Sequence, residues 1–443
     1  MTGREIRHDR ASLDGRSVAP PPPHLVEESG SRTVRLNLTA READWEFIPG
    51  HPVRAWTYDG CVPGPLIEAR VGDVLEVQFE SMLPEPTIVH WHGLRIPARM
   101  DGTSLMQSPV RPGESFLYRL PLPDAGTFWY HPHLDEPEQV GRGLYGALIV
   151  RGEGEPVFDH ERVLVLAEAT LDADGRFASA GGRREAGVHT LRIVNGSSEP
   201  TLTIRAGQIE RWRIVTAASA SYLRLAIGGR PFRLVASGGG LLEAPVEATE
   251  VLLVPGDRAD IAVGPFEEET SLELTSRSGV ASTDARDAER FASVVVGPVA
   301  HSRAHLPSRM RTIEPLADAG ASPTRTIHLG SRTPTRAQDE LLINGRLYLH
   351  DEDVRVGELQ VWDLVNDGAW DHPFHLHGFF FQVLSKDGVP PSYRSWEDTV
   401  NVPARSRVRI AWMPDDRPGE WMYHCHILQH HAAGMMAHFS VVR

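Results

Sequence analysis

The chain has 443 residues, enough for two or three domains of ordinary size rather than one small one. Its 59 acidic side chains outnumber 45 basic ones, for a formal net charge of -14, which argues against a nucleic-acid partner because a phosphate backbone calls for a positive footprint. No window approaches 18 consecutive apolar residues, so no membrane-spanning segment is expected.

Residues 1–32 read as a polar, proline-rich N-terminal arm, with the run Pro20-Pro21-Pro22-Pro23 favouring an extended conformation. The opening MTGREIRHDR is followed by no apolar run. No signal peptide is visible, and the compartment stays open between cytoplasm and export of a processed form. From Thr33 the chain alternates apolar and polar residues, and PLIEARVGDVLEVQFES reads as strand, Gly-Asp turn, strand. The pattern recurs in LTIRAGQIERWRIV at 202–215 and more weakly in VRVGELQVWDLV near Arg355–Leu364. Three copies at intervals of roughly 140 residues predict three related all-β units, each a Greek-key sandwich. The expected units are 33–152, 160–299 and 326–443, with a connector at 300–325. Helix is expected only in short turns around Glu136–Gly141 and His426–His430. The middle unit has His160 and His189 but no close histidine pair, so it is expected to supply structure rather than chemistry.

Four histidine clusters carry the functional signal. They are His90-Trp91-His92, His131-Pro132-His133, His372-Pro373-Phe374-His375-Leu376-His377, and His424-Cys425-His426 with His430 and Met435. In each of the first three, an i, i+2 pair on extended chain places both imidazoles on one face, as ligands of neighbouring metals require. In the fourth, thiolate, imidazole and thioether together select copper, and two His, one Cys and a long axial Met make a blue electron-transfer site. Cys425 and His430 supply S and N from one loop, His372 a second N, and Met435 the axial contact, with Met436 as its alternative. If 424–426 is extended, Cys425 points one way and its two flanking histidines the other, which wires the thiolate through the backbone to a second metal site.

Removing His372 and His430 leaves His90, His92, His131, His133, His375, His377, His424 and His426. Eight imidazoles suit a three-metal cluster with two, three and three ligands; a closed structural zinc site takes only four. Four come from the first unit and four from the third, so those units are expected to touch. A single-electron acceptor wired to three close coppers points to reduction of dioxygen to water, which takes four electrons and four protons.

The chain resembles the bacterial three-domain multicopper oxidases of the laccase type. HWHG at 90–93, WYHPH at 129–133, HPFHLHG at 372–378 and HCHILQHHAAGMM at 424–436 are similar to that family's four copper-binding motifs, in order. YDGCVPGPLIEARVGD, LRIVNG, LLINGR and WDLVNDGAW add to the likeness, which covers about residues 33–443. It implies three cupredoxin-like Greek-key β-sandwich domains and four copper ions, one type 1, one type 2 and two type 3. His90 and His375 would hold the type 2 copper. His92, His131 and His426 would hold one type 3 copper, and His133, His377 and His424 the other. His372, Cys425, His430 and Met435 would form the type 1 site. Asp101 matches an acidic residue that assists proton delivery in the family; in an Asp-Gly dipeptide it also reads as a turn carboxylate. The sequence departs from a common pattern after the blue-site histidine: His431 and Ala432 follow His430 where Glu and Asp are frequent. His431 is either a replacement proton relay or a hydrogen-bonding neighbour.

The resemblance implies four one-electron oxidations of phenolic or other small reducing substrates, entering near His430 or His372. Trp370, Asp371, Trp396, Glu397 and Asp398 are candidate pocket residues. No methionine-rich insert favours Cu(I), whereas Glu397 and Asp398 keep a ferrous oxidase open beside cuprous and bilirubin-type oxidation. A cell-division protein on the same fold would lack ligands that are all present here. Cys61 is expected to be a small buried hydrophobe, and a monomer is the simplest assembly.

Overall fold

The computed structural model describes residues 32–178, 187–278 and 288–443, apart from 332 and 335. Apart from Arg32, the expected N-terminal arm lies outside the described residues. The described chain is strand with short connections and follows the all-β expectation. Its two α-helices, Glu136–Gln139 and Leu428–Ala432, fall where short helical turns were expected and pack against each other. No helix among the described residues is long and apolar enough to cross a membrane.

Three sandwiches follow one another. In the first, His51–Tyr58, Thr33–Ile48, Val74–Ser81 and Ser115–Pro121 form one sheet; Ile67–Arg70, Gly146–Arg151, Gly126–Pro132 and Val89–His92 form the other. Thr33–Ile48 pairs in parallel with Val74–Ser81, so the chain crosses between sheets instead of meandering. Alternation does the folding: Leu75, Val77 and Phe79 point into the core while Gln78 and Glu80 face water. The second sandwich packs a seven-stranded sheet on a five-stranded one, around Trp212, Ile214, Ile261 and Phe291. The third packs a four-stranded sheet on a six-stranded one, around Trp362, Trp412, Tyr423 and Phe439.

Two features bring the outer sandwiches together. An apolar cluster that includes Trp129, Val165, Val215 and Leu428 takes residues from all three and glues them into one body. The segment before Arg325–Leu329 lays Leu316, Ala317 and Ala321 over Val361, Leu384 and Ala411, on the third sandwich. That strap carries the chain onto the third sandwich, and the Arg95–Asp415 ion pair at 3.1 Å closes the third sandwich onto the first.

Candidate metal centre

Strand register places the imidazoles. Val89–His92 pairs antiparallel with Gly126–Pro132, which sets His90 opposite His131, while Trp91 turns to the other face and packs on Tyr118 and Tyr130. His372–Leu376 pairs with Gly419–Cys425, which sets His375 opposite His424 and Phe374 opposite Cys425. The period of two divides the third sandwich's motifs. Cys425 and Phe374 join its core, and His375 and His424 face the first sandwich. All eight expected imidazoles meet there, nearly inaccessible to solvent. His424 Nε2 lies 3.0 Å from His377 Nε2 and 3.4 Å from His133 Nε2. His426 Nε2 lies 3.3 Å from His92 Nδ1.

The opposite ring nitrogens explain which lone pairs face inward. His90 Nδ1 donates to the Asp101 carbonyl at 2.7 Å, His131 Nδ1 to that of Pro132 at 2.7 Å, His375 Nδ1 to that of Asp398 at 2.9 Å, and His424 Nδ1 to that of Cys425 at 2.9 Å. Each bond fixes a tautomer with Nε2 unprotonated. Nε2 of His90, His131 and His375 is buried with no hydrogen-bond partner. Nitrogens so aimed into a shared space fit metal ions and little else. His92 is reversed: its Nε2 donates to Asp398 Oδ1 at 3.2 Å, leaving Nδ1 to face His426. Burial keeps His90 and His430 neutral, as ligands must be, pushing His90 down to about 3 and His430 to about 4.

Beyond the cluster, His372, Cys425 and His430 form a second group, with ligand atoms within 4.8 Å of one another. Cys425 Sγ is 3.4 Å from His430 Nδ1, and both nitrogens of buried His372 lack partners. Burial pushes the Cys425 thiol up, so a thiolate forms there only with a cation beside it. Met435 is fully buried in the same core cluster as Cys425, whereas Met436 is half-buried and pairs with His424. Burial therefore favours Met435 for the axial position.

Three carboxylates surround the imidazoles. Asp101 ends the 3-10 turn Ala98–Met100; its Oδ2 accepts from His377 Nδ1 at 2.7 Å, and its buried Oδ1 has no hydrogen-bond partner and lies 3.5 Å from His90 Nδ1. Burial pushes this carboxyl up to about 8. Gly102 must follow it, because a Cβ there would lie 1.8 Å from the Val89 carbonyl oxygen. Glu136, which sequence reasoning missed, accepts from His431 Nδ1 at 2.7 Å and places its other oxygen 3.4 Å from His133 Nε2. A carboxylate absent after His430 is thus supplied from the first sandwich, three residues past HPH at the start of the helix Glu136–Gln139. That i, i+3 spacing was its available signal.

Family patterns described as multicopper oxidase match residues 39–155, 153–270 and 321–443. The chain belongs to the multicopper oxidase family. It is 29% identical to multicopper oxidase MmcO of Mycobacterium tuberculosis, across 98% of this chain and 90% of that protein. It is 27% identical to the cell division protein FtsP of Photorhabdus laumondii, across 95% and 91%. Among solved structures, a multicopper oxidase from Campylobacter jejuni, described as a metallo-oxidase, superimposes with a TM-score of 0.81 at 28% identity, covering 95% of this chain and 94% of that one.

A multicopper oxidase binds copper, and the donor set here, imidazoles around one thiolate, suits it. Two expectations need correction. Trp396, Glu397 and Asp398 do not border His430. Trp396 packs on Gly239, Glu397 accepts from the Gly238 amide at 3.3 Å, and Asp398 is buried against His92. Cys61 is half-exposed, with its thiol near the Asp59 carbonyl. The middle sandwich also does more than expected. Its Arg258 sends both guanidinium nitrogens to Asp398, donates through Nε to the Thr127 carbonyl at 3.2 Å and contacts the Gly238 and Gly256 carbonyls. One buried cation thereby joins three sandwiches and holds the carboxylate that orients His92. Arg258→Met leaves the buried Asp398 carboxylate without its counter-charge, an expected loss of about 3–5 kcal/mol. Thermal unfolding measures it, and a melting temperature equal to that of the parent protein would refute the role.

Proposed function

We propose that this chain is a laccase-like oxidase, which makes four one-electron oxidations of phenolic or other small reducing substrates and reduces dioxygen to two waters. His372, Cys425, His430 and Met435 hold the type 1 copper. His90 and His375 hold the type 2 ion, and His92, His131, His426 and His133, His377, His424 the two type 3 ions. Copper in these places supplies a single-electron acceptor and, across the thiolate strand, a site that stores enough electrons for dioxygen. The protein's part is to keep the imidazoles neutral, exclude bulk water and deliver four protons. Asp101 Oδ1 holds a proton beside the cluster, while Oδ2 stays bonded to His377 Nδ1. Glu136 accepts from His431 Nδ1, which leaves His431 Nε2 free to pass a proton near His133 and His424. One chain completes both sites, so a monomer suffices.

The observation that carries the substrate class is Trp370. Its ring is 42% exposed and stacks on His430, with centroids 5.6 Å apart and planes at 22°. Exposed Tyr348 bonds through its hydroxyl to the Ala432 carbonyl, at the end of the helix that carries His430. Indole beside the electron-accepting imidazole suits a planar aromatic donor, by offset stacking. A ferrous oxidase would draw on Glu397 and Asp398, but Glu397 is half-buried against the Gly238 amide and Asp398 is buried against His92 and Arg258. Trp370→Ala is expected to lower kcat/KM for a phenol roughly tenfold, about the worth of one aromatic pair, and to leave Fe(II) and Cu(I) oxidation unchanged. Parent protein that turns over Fe(II) or Cu(I) well and phenols hardly at all would point to a metallo-oxidase instead.

A further inference from the structure

We propose that His350 and His438 form a surface site for a divalent transition metal, Cu(II) foremost, separate from the imidazole cluster. The strand Leu349–His350 lies parallel to Met436–Val442 and sets the two histidines directly side by side. His350 Nδ1 and His438 Nε2 are 2.8 Å apart, with ring centroids at 4.6 Å and planes at 68°. The separation selects the geometry. With metal–nitrogen bonds of about 2.0 Å, nitrogens at this spacing subtend about 90° at an ion, whereas a tetrahedral site would hold them about 3.3 Å apart. Cis nitrogens at a right angle suit the tetragonal preference of Cu(II) and Ni(II), and copper binds the tighter of the two.

The frame around the pair is rigid. The Asp351 amide donates to the His438 carbonyl at 2.8 Å, and Asp351 is itself held by Tyr423 and Arg325. A third donor stands on the next strand. Glu420 pairs with Ser440, two residues from His438 on the same face, within reach of a long side chain. Ser440 donates to Glu420 Oε1 at 2.7 Å, while Glu420 Oε2 is buried with no hydrogen-bond partner. His350 is exposed, so solvent can enter and complete the coordination. Without metal, one of the two facing nitrogens carries the proton shared between them; on binding, that proton leaves the facing nitrogen while the same ring takes one up on its outer nitrogen, so both rings stay neutral and the ion takes the proton's place.

The test uses copper-loaded protein freed of excess metal and then titrated with Cu(II). Metal analysis after gel filtration should find one further ion per chain, and the EPR difference spectrum should show a tetragonal signal split by two nitrogens. His350→Ala should lose this ion, and Glu420→Gln should bind it more weakly. Both variants should keep the blue absorption and turnover of the parent. A parent protein that takes up no further ion, or an added ion that persists in both His350→Ala and His438→Ala, would overturn the proposal.

Discussion

Cys425→Ser is expected to abolish the absorption at about 600 nm that a copper thiolate gives. Turnover of every reducing substrate should fall at least roughly a thousandfold, the equivalent of about 4 kcal/mol in the barrier. Serine matches the thiol closely in size, and the Cys425 backbone amide keeps its bond to the Met435 carbonyl. The third sandwich should therefore fold, and copper content should fall by one ion while the imidazole cluster stays loaded. A variant that keeps the band would place the thiolate site elsewhere, and one that loses all copper would make Cys425 a folding residue. The physical basis is orientation: Cys425 lies in the apolar core with Phe374 and Met435, whereas His424 and His426 on either side of it face the first sandwich.

Asp101→Asn is the more discriminating change. Asparagine keeps an oxygen to accept from His377 Nδ1 and leaves the backbone carbonyl that takes His90 Nδ1, so both rings stay oriented. What is lost is a group that exchanges protons. Oxygen reduction should slow by about 10²–10⁴-fold, the usual reach of general acid–base catalysis, while anaerobic bleaching of the blue band by substrate proceeds at the parent rate. Stopped-flow absorbance separates the two half-reactions. Equal slowing of both would mean that Asp101 serves only to shape the turn before Gly102.

What the sequence made legible was local. The strand–turn–strand pattern, repeated near 67–79, 202–215 and 354–365, carried the three sandwiches, because alternation in a half-buried strand is written residue by residue. The i, i+2 histidine pairs carried the cluster for the same reason, since the register that joins His90 to His131 is the alternation that buries Trp91. What stayed hidden acts between units. Nothing within PGDRADIAV indicates that Arg258 reaches Asp398, 140 residues further on. Nor does LDEPEQ disclose that Glu136 meets His431, 295 residues later. WEDTV read as a loop beside the blue site because it is polar and aromatic. A bridge between Phe381 and Glu397 instead turns it toward the junction of the sandwiches, where Asp398 is buried.

The strap that carries the chain from the second sandwich to the third has a consequence for biosynthesis. The imidazoles at 90–133 emerge from the ribosome long before their partners at 372–426, and the strap must be laid down between them. Early histidines thus wait, unpartnered, through the synthesis of an entire intervening sandwich, the kind of distant closure that slows folding. A nascent chain halted before residue 424 would own two finished sandwiches and six of the eight cluster imidazoles. Stable copper retention therefore reports that translation has passed the last of these ligands.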